Sequence, residues 1–304
     1  MKNIIFLYAS VLFYLSAHSQ SSGELYNESL KSYNVKDFYH ALTSVEKSIL
    51  ADSGNGNAYY LRGLIYFSTY RYKQAIPDFD KTIELNLPFD HVHYLRGVSK
   101  DHVHDLKGAM EDFEIQVKLS PREAENYYSR GNARRELNDS RGAIADFDTA
   151  ITLNPNAPTY WTGRGIAKFT LKQFPEAAKD MDKAIALDSG FAEGYANRGF
   201  AKLATKDYEG ALFDFNKCIK LDSSKVSVYY NRAQAEYWLK DYKDALSDCN
   251  FVLISMPNDS NILALRSSVQ FPLGNKKATC DDYRKSVLYG AKPLQAVENY
   301  CNLK

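Results

Sequence analysis

The sequence predicts an all-α protein, a solenoid of antiparallel helix pairs in about eight 34-residue repeats. Three observations predict it. First, an Arg-Gly pair recurs at Arg62-Gly63, Arg96-Gly97, Arg130-Gly131, Arg164-Gly165 and Arg198-Gly199, and the arginine continues at Arg232 and Arg266, always 34 residues apart. Second, twelve positions after each small residue stand Ala75, Ala109, Ala143, Ala177, Ala211 and Ala245, then Thr279. Third, three positions further on comes an aspartate, at Asp78, Asp112, Asp146, Asp180, Asp214, Asp248 and Asp282. The 304 residues alone would suggest two domains, but a repeat unit packs only on its neighbours and escapes that rule.

Residues 1–19 read as a secretory signal. Lys2 supplies a positive start, Ile4 to Leu15 is mostly apolar, and Ala17-His18-Ser19 places small residues for cleavage before Gln20. That apolar stretch is short for a spanning helix, and no later segment approaches the length needed. The expectation is an exported protein, periplasmic or secreted, whose mature chain has no transmembrane span.

The repeats then run near 22–55, 56–89, 90–123, 124–157, 158–191, 192–225, 226–259 and 260–293. The first has Glu28-Ser29 in place of Arg-Gly but keeps Phe38 and Ala41. Each unit reads as two helices. The first begins about an aromatic pair such as Tyr59-Tyr60, Tyr127-Tyr128 or Tyr229-Tyr230. A break follows, and Asp105, Asp139, Asp207, Asp241 and Asn275 stand where a side-chain oxygen can cap the second helix. Pro175 fits a first helical turn, where its missing N–H costs nothing. The second helix carries its apolar stripe at helical spacing, as in Ala143, Phe147, Ala150 and Ile151. The last repeat departs from the pattern at Leu263, Ser267 and Thr279, and residues 294–304 read as a C-terminal capping helix.

These features resemble the tetratricopeptide repeat family: an aromatic opening, a small residue four positions later, a central alanine, an aromatic after it and a closing proline such as Pro121 or Pro155. The resemblance spans residues 22–293. It implies a right-handed superhelix whose first helices line a concave face that holds a protein or peptide. On those helices the resemblance points to Tyr60, Leu64, Phe67, Tyr94, Val98, Asp101, Tyr128, Asn132, Arg135, Tyr230 and Tyr237 as peptide contacts. Packing between adjacent repeats would account for the same aromatics, and the sequence leaves the two readings open. Family members that clamp an acidic chaperone tail need Lys and Asn on successive turns of the first helix. Here those places hold Tyr or Thr and mostly apolar residues, which argues against that ligand.

Other chemistry finds little support. With 38 basic and 37 acidic residues, the chain has no electrostatic footprint for nucleic acid. The repeated Arg and Asp read as a structural ladder, because catalysis needs one asymmetric site and Arg offers a planar fork for a carboxylate. His91, His93, His102 and His104 cluster in one repeat, but residues two apart do not share a helical face, so no metal site is expected. Of four cysteines, Cys218 and Cys249 fall on core stripes, while Cys280 and Cys301 can pair in an oxidising compartment and hold the cap down. No phosphate loop, hydrolase elbow or zinc-protease motif is present, so neither an enzyme nor a cofactor is expected. The functional expectation is an exported scaffold in an envelope-associated assembly. The alternatives are a subunit of an envelope-polymer-processing complex and a self-associating structural component.

Overall fold

The computed structural model describes residues 20–301, so the signal reading on residues 1–19 lies outside the described residues. Among them there are 17 helices and no strand, in two compact units divided after Asn138. In unit 1 the order is α1 (Ser22–Asn34), α2 (Phe38–Ala51), α3 (Gly56–Ser68), α4 (Tyr72–Glu84), α5 (Val92–His102), α6 (Leu106–Leu119) and α7 (Ala124–Glu136). Unit 2 begins with α8 (Ser140–Leu153), α9 (Pro158–Thr170), α10 (Phe174–Leu187), α11 (Ala192–Ala204) and α12 (Tyr208–Leu221). It ends with α13 (Val226–Leu239), α14 (Tyr242–Ser255), α15 (Ser260–Gln270), α16 (Lys276–Leu288) and α17 (Gln295–Cys301).

First helices start about three residues before their aromatic pair, because capping begins earlier: the Asn55 side chain accepts from the Ala58 N–H, and Pro158 occupies the first turn of α9. Asp105, Asp139 and Asp207 cap their second helices, each accepting from a glycine N–H (Gly108, Gly142 and Gly210) at 2.9–3.1 Å. Asp241 and Asn275 do not.

Between the two helices of a repeat the chain turns through one left-handed residue. Lys36, Tyr70, His104, Asn138, Lys172, Lys206 and Lys240 all have φ of 59–68°, and only the last repeat supplies a glycine, Gly274. A side chain there is strained by roughly 1 kcal/mol. The position carries no glycine signal in seven repeats, so the sequence does not announce it.

Hairpin packing is set by reciprocal size at positions sixteen apart. A Cβ on Gly63 would meet the Phe79 ring at 2.7 Å, one on Gly97 the Phe113 ring at 2.8 Å, and one on Gly199 the Phe215 ring at 2.6 Å. Those phenylalanines are almost wholly buried. Where the small residue grows to Ala233, its counterpart shrinks to Cys249, and both are fully buried. Burial pushes the Cys249 thiol up to about 12, so it behaves as a small apolar side chain.

Consecutive helices pack on each other throughout each unit. In unit 1, α1 also touches α3, α3 touches α5 and α5 touches α7. In unit 2 the same holds for α9 with α11, α11 with α13 and α13 with α15. Second helices make at most marginal contacts of that kind. Within each unit the first helices therefore occupy the inner, tighter radius. At the C-terminus a disulfide joins Cys280 on α16 to Cys301 on α17, with Cα atoms 5.7 Å apart and Val297 and Tyr283 buried beneath.

Candidate ligand-binding face and its supporting ladder

The ladder arginines meet the aspartates sixteen residues on, across each hairpin. Arg62 holds Asp78 through Nε at 2.9 Å and Nη2 at 2.7 Å, and the same fork recurs for Arg96–Asp112, Arg164–Asp180, Arg198–Asp214, Arg232–Asp248 and Arg266–Asp282. The structure adds a link that sequence reasoning missed. The remaining Nη1 donates to a residue sixteen positions back, on the second helix of the preceding repeat. These acceptors are Asp80, Asp148, Asp182, Asn216 and Asn250, at 2.6–2.8 Å from Arg96, Arg164, Arg198, Arg232 and Arg266. One guanidinium thus ties a hairpin together and fastens it to its neighbour. The 34-residue register contains this second acceptor, but alternation between Asp and Asn hides it.

Aromatics cover the arginines. Tyr59, Tyr127, Trp161, Tyr195 and Tyr229 each stand three residues before one, with the guanidinium 4.8–5.7 Å from the ring centroid. The first member of each aromatic pair therefore belongs to the ladder. The second member belongs to the inner face.

A lysine completes the aspartate's shell in three repeats: Lys100, Lys168 and Lys202 bond Asp112, Asp180 and Asp214 at 2.7–2.9 Å. Burial alone would raise the Asp112 carboxyl, but bonds from Arg96 and Lys100 outweigh it and hold it below its ordinary value. Asp78 has Arg62 without a lysine, and burial leaves it raised. In the repeat of α13 and α14 the lysine position is Glu236, 6% exposed, with one carboxylate oxygen lacking any hydrogen-bond partner. Burial and then the neighbouring Asp248 charge push its carboxyl up to about 8. Gln270 follows one period later, also with an unpartnered buried oxygen.

On the inner face of unit 1, an open groove of about 420 Å³ is lined by Tyr60, Leu64, His91, Tyr94, Leu95, Glu123, Glu125 and Asn126. Tyr60, Leu64 and Tyr94 were among the residues pointed to by the resemblance. Tyr60 stacks on Phe89 with ring centroids 3.9 Å apart, which holds it in place. Asn126 is buried and oriented by donating to the Ser120 carbonyl at 3.1 Å. Burial raises the phenol pKa of both Tyr60 and Tyr94, so both remain neutral through physiological pH. Tyr26, one period before Tyr60, extends the row and was findable by subtracting 34. Glu123 and Glu125 were missed because they stand at the cap and in the first turn of α7, off the face that helical periodicity selects.

The other candidate contacts divide. Phe67 packs around Ala75, Phe79 and Val92, and Val98 packs around Ala109 and Phe113. Tyr230 and Tyr237 pack on the cluster of Ala233, Ala245 and Cys249. Asn132 is half-buried on α7 beside half-buried Tyr128. Asp101 is raised by burial and then by the Glu136 charge, while Arg135 reaches Glu136 at 3.8 Å and keeps a buried Nε without a partner. Unit 2 has its own groove of about 490 Å³, lined by Phe169, Phe200, Leu203, Ala204, Asn231 and Gln234, and it contains no charged side chain. An adjoining pocket of about 160 Å³ opens over Gly165 and Met181. Among the described residues, no group of three or more His, Cys, Asp or Glu is placed to hold a metal ion, and no helix is long and apolar enough to cross a membrane.

Comparison with known proteins agrees with this geometry. Tetratricopeptide repeat family models match residues 128–190, and 56–88 with 192–225. Among solved structures, the anaphase-promoting complex hetero-tetramer Cut9-Hcn1 aligns with a TM-score of 0.65 at 15% identity, covering 88% of this chain and 53% of the other. The chain thus spans about half the length of that neighbour. PilF of Pseudomonas aeruginosa aligns at 0.61 and 14% identity over 71% of this chain and 97% of its own. YrrB, described as a repeat protein with an unusual peptide-binding site, aligns at 0.51 and 20% identity over 60% and 95%. No curated protein matches the sequence.

Proposed function

From a chain that carries tetratricopeptide repeats, we propose a non-catalytic scaffold that holds a protein or peptide on its first helices. The observation that carries this reading is the groove of unit 1, where Tyr60, Leu64 and Tyr94 present aromatic and aliphatic surface between neighbouring first helices, framed by a few polar groups. Aromatic side chains offer large contact area at small entropic cost, which suits a groove for an extended segment. The peptide-binding site named for YrrB supports the same class of ligand. The signal-like residues 1–19 support export, and with it a place in a periplasmic or secreted, envelope-associated assembly.

The experiment is crosslinked affinity capture from the native cell, with wild type beside the triple variant Tyr60→Ala, Tyr94→Ala, Tyr128→Ala. A partner enriched by wild type and lost by the variant, at unchanged circular dichroism, supports the proposal. Equal capture by both, or loss of helicity in the variant, assigns the tyrosines to packing instead. One observation favours self-association as a second reading. Ile254 and Leu288, one period apart in unit 2, are 81% and 76% exposed. Light scattering across a concentration series tests it, and a constant monomer mass would reject it.

A further inference from the structure

Resting on the reading just given, we infer that the unit 1 groove selects a peptide segment carrying an arginine or lysine beside an aromatic or aliphatic residue. The apolar half follows from Tyr60, Leu64 and Leu95, which supply the floor. The basic half follows from charge. Glu123 and Glu125 line the same groove, both exposed to solvent. His91 lines the groove too, while on α5 Arg96 and Lys100 are engaged by Asp112, so the carboxylates at the groove are Glu123 and Glu125. A phosphate or an acidic tail entering this groove meets repulsion from Glu123 and Glu125, whereas a cation is attracted by both.

The aromatic rings act in the same direction. Neutral tyrosine rings attract a guanidinium or ammonium through their quadrupole. Tyr94 adds a hydrogen-bonding hydroxyl in reach of Glu125 and Ser129, so ring and carboxylate are joined rather than independent. Arginine suits this combination better than lysine, because its plane lies over a ring while its edge donates to a carboxylate. The unit 2 groove lacks any carboxylate and offers amides at Asn231 and Gln234. Basic preference therefore belongs to the Tyr60–Glu125 groove and not to the fold in general.

The test is selection of a random dodecapeptide phage library on the full chain, followed by anisotropy of the winning synthetic peptides. Peptides rich in Arg or Lys next to an aromatic or aliphatic residue are expected. Their affinity should fall about 5- to 10-fold in Glu123→Gln/Glu125→Gln, and by a similar factor from 50 to 500 mM salt. Both glutamates are exposed, so this variant keeps its fold, and circular dichroism checks Tyr60→Ala alongside it. Winners that are neutral or acidic yet lose binding in Tyr60→Ala overturn the basic preference and leave the peptide-binding reading standing. Winners indifferent to both variants overturn the assignment to this groove. No enrichment over the unselected library overturns the inference and counts against peptide binding itself.

Discussion

Glu236→Gln is expected to stabilise the chain above neutral pH and to leave it nearly unchanged near pH 5. Glu236 stands where Lys100, Lys168 and Lys202 bond their aspartates, and it faces Asp248 and Arg232, with Asp244 and Asp241 contributing further negative charge. Its carboxyl rises from 4.5 to about 8, chiefly through burial. In the unfolded chain the group ionises near 4.5, whereas in the folded chain it keeps its proton until about 8. Between these values the folded state binds the extra proton, so stability falls as pH rises and then levels off. At about 1.36 kcal/mol per pH unit the ceiling is about 5 kcal/mol. Relaxation of the surroundings, which respond like a medium of higher dielectric than a dry interior, reduces this to about 2 kcal/mol. For a folding unit of this size that corresponds to a melting temperature about 4–8 °C higher for the variant at pH 9. The assay is circular dichroism melting of both proteins at half-unit steps from pH 4.5 to 9. Only the difference between the curves is read, which cancels the titrations they share. Glu236→Lys should stabilise at every pH in the range, because it restores the cation that Asp214 receives from Lys202. Parallel curves for wild type and Glu236→Gln, or a gap that closes as pH rises, would refute the reasoning.

Other perturbations follow from the same packing. Gly199→Ala drives a methyl into the buried Phe215 ring and should cost about 1–3 kcal/mol, while Gly165→Ala should cost less because the flexible Met181 side chain yields; denaturant midpoints compare them. Asp214→Ala strands Arg198 and Lys202 around a buried gap and should lower stability by about 3–5 kcal/mol, yet leave capture through unit 1 intact. Lys206→Gly relieves a residue at φ 67° and should raise the melting temperature slightly, the gain being up to about 1 kcal/mol. Cys301→Ser releases the 21-residue link from Cys280 and should cost about 3 kcal/mol, appearing first as faster amide exchange in α16 and α17.

How much was legible depends on whether a feature repeats. Arg62, Gly63, Ala75 and Asp78 lie on one hairpin, and their offsets recur every 34 residues, so the sequence displays both the helix pair and its ionic fork. The Ala233–Cys249 exchange of sizes came only from the structure, which shows glycine facing the aromatic sixteen residues on. The second arginine link to Asp80 or Asn216 was harder, because oxygen acceptors of different charge share the position. The left-handed turn residues were not legible, since lysine, tyrosine and histidine there announce no such conformation.

By itself the sequence determined an all-helical array of about eight hairpins, the arginine–aspartate ladder, and a row of inner-face tyrosines one period apart. Only the tertiary structure decided which of those tyrosines line a groove. Tyr60 and Tyr94 do while also resting on the cores of their own repeats, and Tyr230 and Tyr237 pack on a core. It also brought Glu123 and Glu125 to that groove and left Glu236 buried beside Asp248. The physical reason is that a repeating offset encodes contacts made the same way in every unit. A groove gathers side chains from three different repeats, and a buried charge matters only through what stands against it.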